Sequence, residues 1–340
     1  MSELPLIDTC PKSMEYGPCG GVGFDGSCEV DAGHLCAFLP RPTVPWTGLD
    51  RTTGVAPAGR TAAAAQTLGA LGTRPWVVAD LPVQALSVAS IDRGAAILAG
   101  EVDAVLAGDA GNARVQFPPA YRAHLLQRRG LRVWTGLNMR DRNRVAIEGE
   151  LAALAVEGVA GVHCVTGDHT LTGHRPDAAP VFDLDSTEAT ALARAAGHVV
   201  SVAASPAAPP VDRRAARLRE KIRAGADVCF VNHAGGAAPV RRFVDEAGDG
   251  IRYIPCVPVV VDHRSADLLE SFTTLALPEG FVERVRRSRD PRAEGIALAV
   301  EMAQQMLAVP GVVGVNLSGG REGAEESFAE ALAEIARRLR

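Results

Sequence analysis

Eight short apolar runs between Trp76 and Gly320 constrain this chain more than any other feature. They read "WVVADLPV", "DAVLA", "LRVWTGLN", "GVHCVTGD", "HVVSVAA", "DVCFVNH", "RYIPCVPVVV" and "GVVGVNLSGG". Apolar residues follow one another instead of alternating with polar ones, which is the pattern of strands buried on both faces in a parallel sheet covered by helices. The segments between them carry helical spacing. In the last, Phe328, Leu332, Ile335 and Leu339 recur at steps of three and four. Eight βα units in roughly 265 residues match the size of a (β/α)8 barrel. A doubly wound open sheet is the alternative, because periodicity does not show closure. Residues 76–340 are therefore read as the barrel, 1–40 as a cysteine-rich module, and 41–75 as a wrapping linker. The linker stretch "RPTVPWTGLDRTTGVAPAGRT" has turn formers and no sustained period.

Hydrophobic residues make up 47% of the chain and the formal net charge is -5, so a large core is available and nothing favours nucleic acid. No run of about 18 apolar residues occurs, and "MSELPLIDTC" lacks the basic and apolar regions of a signal peptide. The expectation is a cytoplasmic protein with small-molecule partners and no membrane contact, assembling as a homo-oligomer.

In a barrel, function gathers where strands end. Polar residues stand there: Asp80, Asp109, Asn138, Asp168, Asn232 with His233, and Ser318 before Gly319 and Gly320. Helix capping is the competing explanation for each, since Asp, Asn and Ser favour N-caps. The Gly319-Gly320 turn, followed by Arg321, suits phosphate held by backbone N–H groups, or simply a tight turn.

Four of the seven cysteines lie within 27 residues, in "CPKSMEYGPCGGVGFDGSCEVDAGHLC". Cys10, Cys19, Cys28 and Cys36 are separated by eight, eight and seven residues. Structural zinc sites usually bring thiolates in close pairs such as C-x2-C. Widely spaced cysteines on a Gly-rich loop suit a larger object that the backbone wraps, so a [4Fe-4S] cluster is expected ahead of zinc. His34 is read as a solvent-facing loop residue. Cys164, Cys229 and Cys256 sit among apolar neighbours and are read as core.

The opening stretch resembles the cysteine-rich module of the methylenetetrahydrofolate reductase family, which carries C-P-K-x-M-x-x-G-P-C-G-G and then G-x-C-E at the far end of a related chain. The barrel is similar to the same family in "NMRDRNRVAIEGELAALAVEGVAGVHCVTGDHT", "GHRPDAAPVFDLDS", "LREKIRAGADVCFVN" and "IPCVPV". The resemblance implies flavin-dependent hydride transfer to 5,10-methylenetetrahydrofolate, with FAD (or FMN) as cofactor and NAD(P)H or another electron donor, including a redox partner protein. It places Asp168 beside the flavin ring and Lys221 at the cofactor phosphates. Asp109, Asn138, Arg142 and Thr166 join the cofactor set, Asp80 is the folate-protonating acid, and Asn232 contacts the pterin. Asp183 and Asp185 follow a family motif, but also suit a helix cap near Thr187.

Several positions depart from the family pattern. Gly136-Leu137-Asn138 replaces H-x-T, Gly108 replaces a threonine, Asp80 is one carbon shorter than the family glutamate, and His233-Ala234-Gly235-Gly236 replaces apolar residues. These changes fall on the substrate side. They leave open a flavoenzyme acting on a different C–N or N–N substrate, with His233 as acid or base, and an electron-transfer subunit of a reductase complex.

Overall fold

The computed structural model describes residues 4–48, 59–109, 113–272 and 274–340; linker residues 49–58 lie outside the described set. The eight runs form β1 (Trp76–Asp80), β2 (Ala104–Ala107), β3 (Val133–Asn138), β4 (Gly161–Val165), β5 (Val200–Ala204), β6 (Val228–Val231), β7 (Arg252–Pro258) and β8 (Gly314–Ser318). They pair in parallel and in order, and β1 pairs with β8 through Trp76 and Gly314, so the sheet closes into a barrel. The open sheet is thereby excluded.

Helices α1 (Ala62–Ala70), α2 (Val88–Leu98), α3 (Pro119–Gln127), α4 (Arg144–Glu157), α5 (Ser186–Ala195) and α6 (Arg214–Arg223) accompany the first half. Helices α7 (Ala237–Ala247), α8 (His263–Ser271), α9 (Phe281–Arg287), α10 (Pro291–Leu307) and α11 (Glu325–Leu339) complete the shell. None of the described helices is long and apolar enough to cross a membrane.

Helix α1 corrects the reading of 41–75 as a linker without regular structure. Thr61 caps it, its Oγ1 accepting from Ala64 N at 3.1 Å, and the alanines that follow are the best helix formers. An alanine helix has little contrast between its faces, so no period announces it. Ala64, Leu68 and Leu71 pack with Trp76, Trp134, Val199, Val228 and Phe230 at the N-terminal end of the strands. That apolar plug fills the barrel floor. Trp134 meets Trp76 and Phe230 edge-on, at centroid separations of 6.4 and 5.4 Å. Gly161 makes this possible, because a Cβ there would lie 2.5 Å from the Trp134 ring.

The module has turns instead of regular elements, as its sequence predicts. Cys28 N donates to His34 O and Cys36 N to Gly26 O, both at 2.9 Å. Met14, Val22, Cys36 and Phe38 form a small separate core. A core this small requires further support.

Candidate functional site

Support comes from the barrel. The buried Arg214, first residue of α6, donates from Nη1 to Cys19 O at 2.7 Å and Pro18 O at 3.3 Å. Arg213 beside it donates to the carbonyls of Phe38, Leu39 and Arg41. Thr166 Oγ1 donates to Met14 Sδ at 3.4 Å, and Gly20 lies so close to β5 that a Cβ would come within 2.7 Å of Ser205 Oγ. The module therefore lies across the mouth of the barrel, roofing a cavity of about 660 Å3. Clefts of 300–1,000 Å3 are the usual size for small-molecule sites.

Asp109, Asn138, Thr166, Asp168, Lys221 and Asn232, all expected from the sequence, line this cavity. They come from the ends of β2, β3, β4 and β6 and from α6, and barrel closure brings them together. Asp109 accepts from Asn138 Nδ2 at 3.2 Å and Arg140 Nη2 at 3.0 Å, so its carboxylate is held in place. Asp168 is the most open of the group, its side chain 68% exposed and 3.8 Å from Arg114 Nη2. Asn232 Nδ2 donates to Ser205 Oγ at 2.9 Å. Lys221 is only 9% exposed and donates to Ala203 O at 2.8 Å. Burial, with Arg217 nearby, pulls its ammonium down to about 7. An anion at Nζ would offset that burial cost, so the residue suits a phosphate or carboxylate ligand.

Sequence reasoning passed over His163, Arg214, Ser205, Lys12 and Glu29, which also line the cavity. His163 Nδ1 and Ser201 Oγ are hydrogen-bonded at 2.9 Å and burial lowers the pKa of the imidazole to about 3, so it is a neutral part of the cavity wall. Lys12 and Glu29 stand inside the cysteine motif, where attention went to the thiols. Nothing in the sequence showed that they face a barrel.

Asp80, His233, Arg142, Gly319 and Gly320 are not among the lining residues of this cavity. Asp80 turns toward β8, accepting from Asn316 Nδ2 at 2.9 Å and Ser318 Oγ at 2.7 Å. Burial raises its pKa despite those two donors. His233 is buried with Nδ1 unpartnered, and burial lowers its pKa to about 4, so it is neutral near pH 7. Arg142 lies 3.9 Å from Asp141. Gly319 is required for packing, since a Cβ would come 2.7 Å from Val259 O. The α11 helix that follows carries Glu325 and Glu326 in its first turn, which disfavours phosphate there. Arg321 is paired with Asp262 at 2.8 Å. Asp185 caps α5 in a reciprocal capping box with Glu188, and Asp183 accepts from Arg144 N at 2.8 Å, so both are explained by helix ends.

Cys10, Cys19, Cys28 and Cys36 line one small cavity of about 10 Å3 inside the module. All four are free thiols. Among the described residues no three His, Cys, Asp or Glu side chains stand gathered as ligands. The donor set is nevertheless of the chemistry that zinc or iron takes. His34 pairs with Asp31 at 2.8 Å on the exposed side of the module. Cys164, Cys229 and Cys256 are buried in the barrel strands, as expected.

Residues 2–41 match the family model described as methylene-tetrahydrofolate reductase C terminal. No curated protein matches the chain. Among solved structures, an uncharacterized protein from Clostridium thermocellum that binds two copies of 5-methyl-5,6,7,8-tetrahydrofolic acid is similar over 81% of this chain and 98% of its own. Its identity is 11% and its TM-score 0.52. A 2,3-dimethylmalate lyase of the PEP mutase/isocitrate lyase superfamily is similar over 83% of this chain and 87% of its own, with 14% identity and a TM-score of 0.48. An oxaloacetate acetylhydrolase covers 82% and 86%, with 13% identity and a TM-score of 0.48. Through the module at residues 2–41 the chain is similar to the methylenetetrahydrofolate reductase family, and it carries that module ahead of a (β/α)8 barrel.

Proposed function

We propose that this protein is an oxidoreductase of the methylenetetrahydrofolate reductase type, binding a reduced folate and a flavin in the roofed cavity and a metal at the four module thiols. One observation carries the reading: Asp109, Asn138, Thr166, Asp168, Lys221 and Asn232, picked from separate motifs, line a single cavity. A barrel of similar fold that binds 5-methyltetrahydrofolate supports the choice of ligand. The flavin, when bound, supplies the hydride chemistry.

The protein's own residues bind, orient and exclude water. Lys221, deep in the cavity, meets an anionic group such as a cofactor phosphate. Asp168 presents a carboxylate at the open end of β4, where it acts on the charge of a bound ring. Asp109, fixed by Arg140 and Asn138, and Asn232, fixed on Ser205, offer hydrogen bonds in set directions. The roof made by Lys12, Met14, Gly20 and Glu29 limits water entry, which strengthens each of these contacts. In the module, Cys10, Cys19, Cys28 and Cys36 hold zinc or an iron–sulfur centre.

A second reading, the same chemistry on a different C–N or N–N substrate, is favoured by Asp80 and His233. Neither the expected acid nor its alternate is among the residues that line the cavity. Anoxic purification with metal analysis and an absorption spectrum, followed by titration with FAD, FMN and 5-methyltetrahydrofolate, tests the proposal. Flavin uptake and folate binding are expected. A protein that takes up neither flavin refutes both readings, and one that takes up flavin but ignores folate leaves the second.

A further inference from the structure

The two cavities share a wall. Lys12, Cys19, Gly21, Cys28 and Glu29 line both the thiol cavity and the barrel cavity, so one layer of residues separates them. Two candidate metal ligands belong to that layer.

Lys12 and Glu29 tie its two strands of chain together. Lys12 follows Cys10 by two residues, Glu29 follows Cys28 by one, and the Lys12 ammonium donates to Glu29 Oε1 across the wall. Lys12 is 4% exposed, and Cys19 in the shared wall and Asp168 in the barrel cavity are also near it. Glu29 Oε2 fills the place that a Cβ on Gly21 would take, 1.3 Å away, so position 21 must be glycine for the carboxylate to sit there. The wall is also anchored: Cys19 O accepts from Arg214 and the neighbouring Gly20 abuts Ser205.

Resting on the functional reading above, we infer that Lys12 is a positioning residue that couples the thiol site to the barrel site. A metal drawing Cys10 and Cys28 onto one centre draws the segments that bear Lys12 and Glu29 with them. The ion pair is thereby set in its place in the barrel cavity before ligand arrives. Ordering that is completed by one ligand need not be repeated by the other, so each binds more tightly in the presence of its partner. Linkage makes the effect reciprocal.

The test is a pair of titrations on the full chain. The dissociation constant for 5-methyltetrahydrofolate, or for FAD, is measured with the protein metal-free and zinc-loaded. Zinc affinity is then measured by chelator competition with and without the same ligand. Loading is expected to tighten ligand binding by about five-fold or more, the lower end of ordinary coupling, and the ligand is expected to tighten zinc binding by the same factor. Lys12→Met should bring the factor close to one, whatever it does to the affinity of either ligand alone, and Lys12→Arg should restore it. Binding of a barrel ligand with the same constant in both metal states overturns the inference and leaves the functional reading standing. Coupling unchanged in Lys12→Met removes Lys12 from the role. Binding of neither 5-methyltetrahydrofolate nor FAD refutes the functional reading and the inference together.

Discussion

Arg214→Met tests whether the roof over the cavity is held by α6. Arg214 spends two of its hydrogen bonds on the module, to Cys19 O at 2.7 Å and Pro18 O at 3.3 Å. Hydrogen bonds from a charged donor contribute about 1.5–3 kcal/mol each, and the longer one belongs at or below the bottom of that range. Their loss should weaken docking by about 3 kcal/mol, which corresponds to about a 100-fold change in the opening equilibrium. Its remaining bonds, to Ala208 O at 2.8 Å and to Pro209 O, stay within the loop before α6. Hydrogen exchange is the suitable assay because it reads each region separately. The Tyr16 amide, which donates to Asp185 Oδ2 at 3.4 Å, reports docking directly, and the amides of Cys28 and Cys36 report the module itself. All three should lose protection while the amides of the barrel strands keep theirs. Unchanged protection at Tyr16 would refute the clamp. Equal loss in module and strands would refute it differently, by making Arg214 a residue of global stability.

Three further predictions follow from named contacts. Gly21→Ala places a Cβ on Glu29 Oε2, displaces the carboxylate from Lys12 and should cost about 1–3 kcal/mol in thermal unfolding, whereas Gly320→Ala, with nothing within 4 Å of its Cβ, should be neutral. For Asp80 the folded pKa is raised by burial, so the folded state binds more protons than the unfolded one between the two values and stability falls as pH rises through that window. Asp80→Asn should remove this fall, and its stability relative to the parent in urea should be greater at pH 7 than at pH 3.5. Lys221 has the opposite sign: with a folded value of about 7 against 10.5, the unfolded state binds more protons, and parent stability should climb from pH 7 toward 10. Lys221→Met should flatten that climb in denaturation at pH 7 and pH 9.5, and a parallel pair of curves would remove Lys221 from a buried position.

The sequence by itself determined the strands and their number. Continuous apolar runs have few solutions other than strands buried on both faces, and the eight observed strands fall within the eight runs. It also determined which polar side chains end up at strand ends, because the first residues after a buried strand must return to solvent. Several of the barrel-mouth residues, Asp109 and Asp168 among them, were legible for that reason. The four cysteines were legible as a set, and the tertiary structure places them around one cavity.

Only the tertiary structure decided the rest. Helix α1 was hidden because alanines carry no amphipathic signal, and its purpose, plugging the barrel floor, depends on strands that lie far along the chain. Asp80 and His233 looked equivalent to Asp168 from their positions after strands, yet Asp80 is taken up by side-chain partners on β8 and His233 is buried, its carbonyl accepting from Ala276 N, and neither is among the residues lining the cavity. Above all, nothing local says where a turn-rich module of 40-odd residues will dock. Its placement over the ends of β4 and β5 follows in part from Arg214 on α6 meeting carbonyls about 195 residues earlier in the chain. Contacts at that separation carry no sequence period. They make one roofed cavity from two segments that the sequence presents as separate, and put Lys12 and Glu29 in the wall between them.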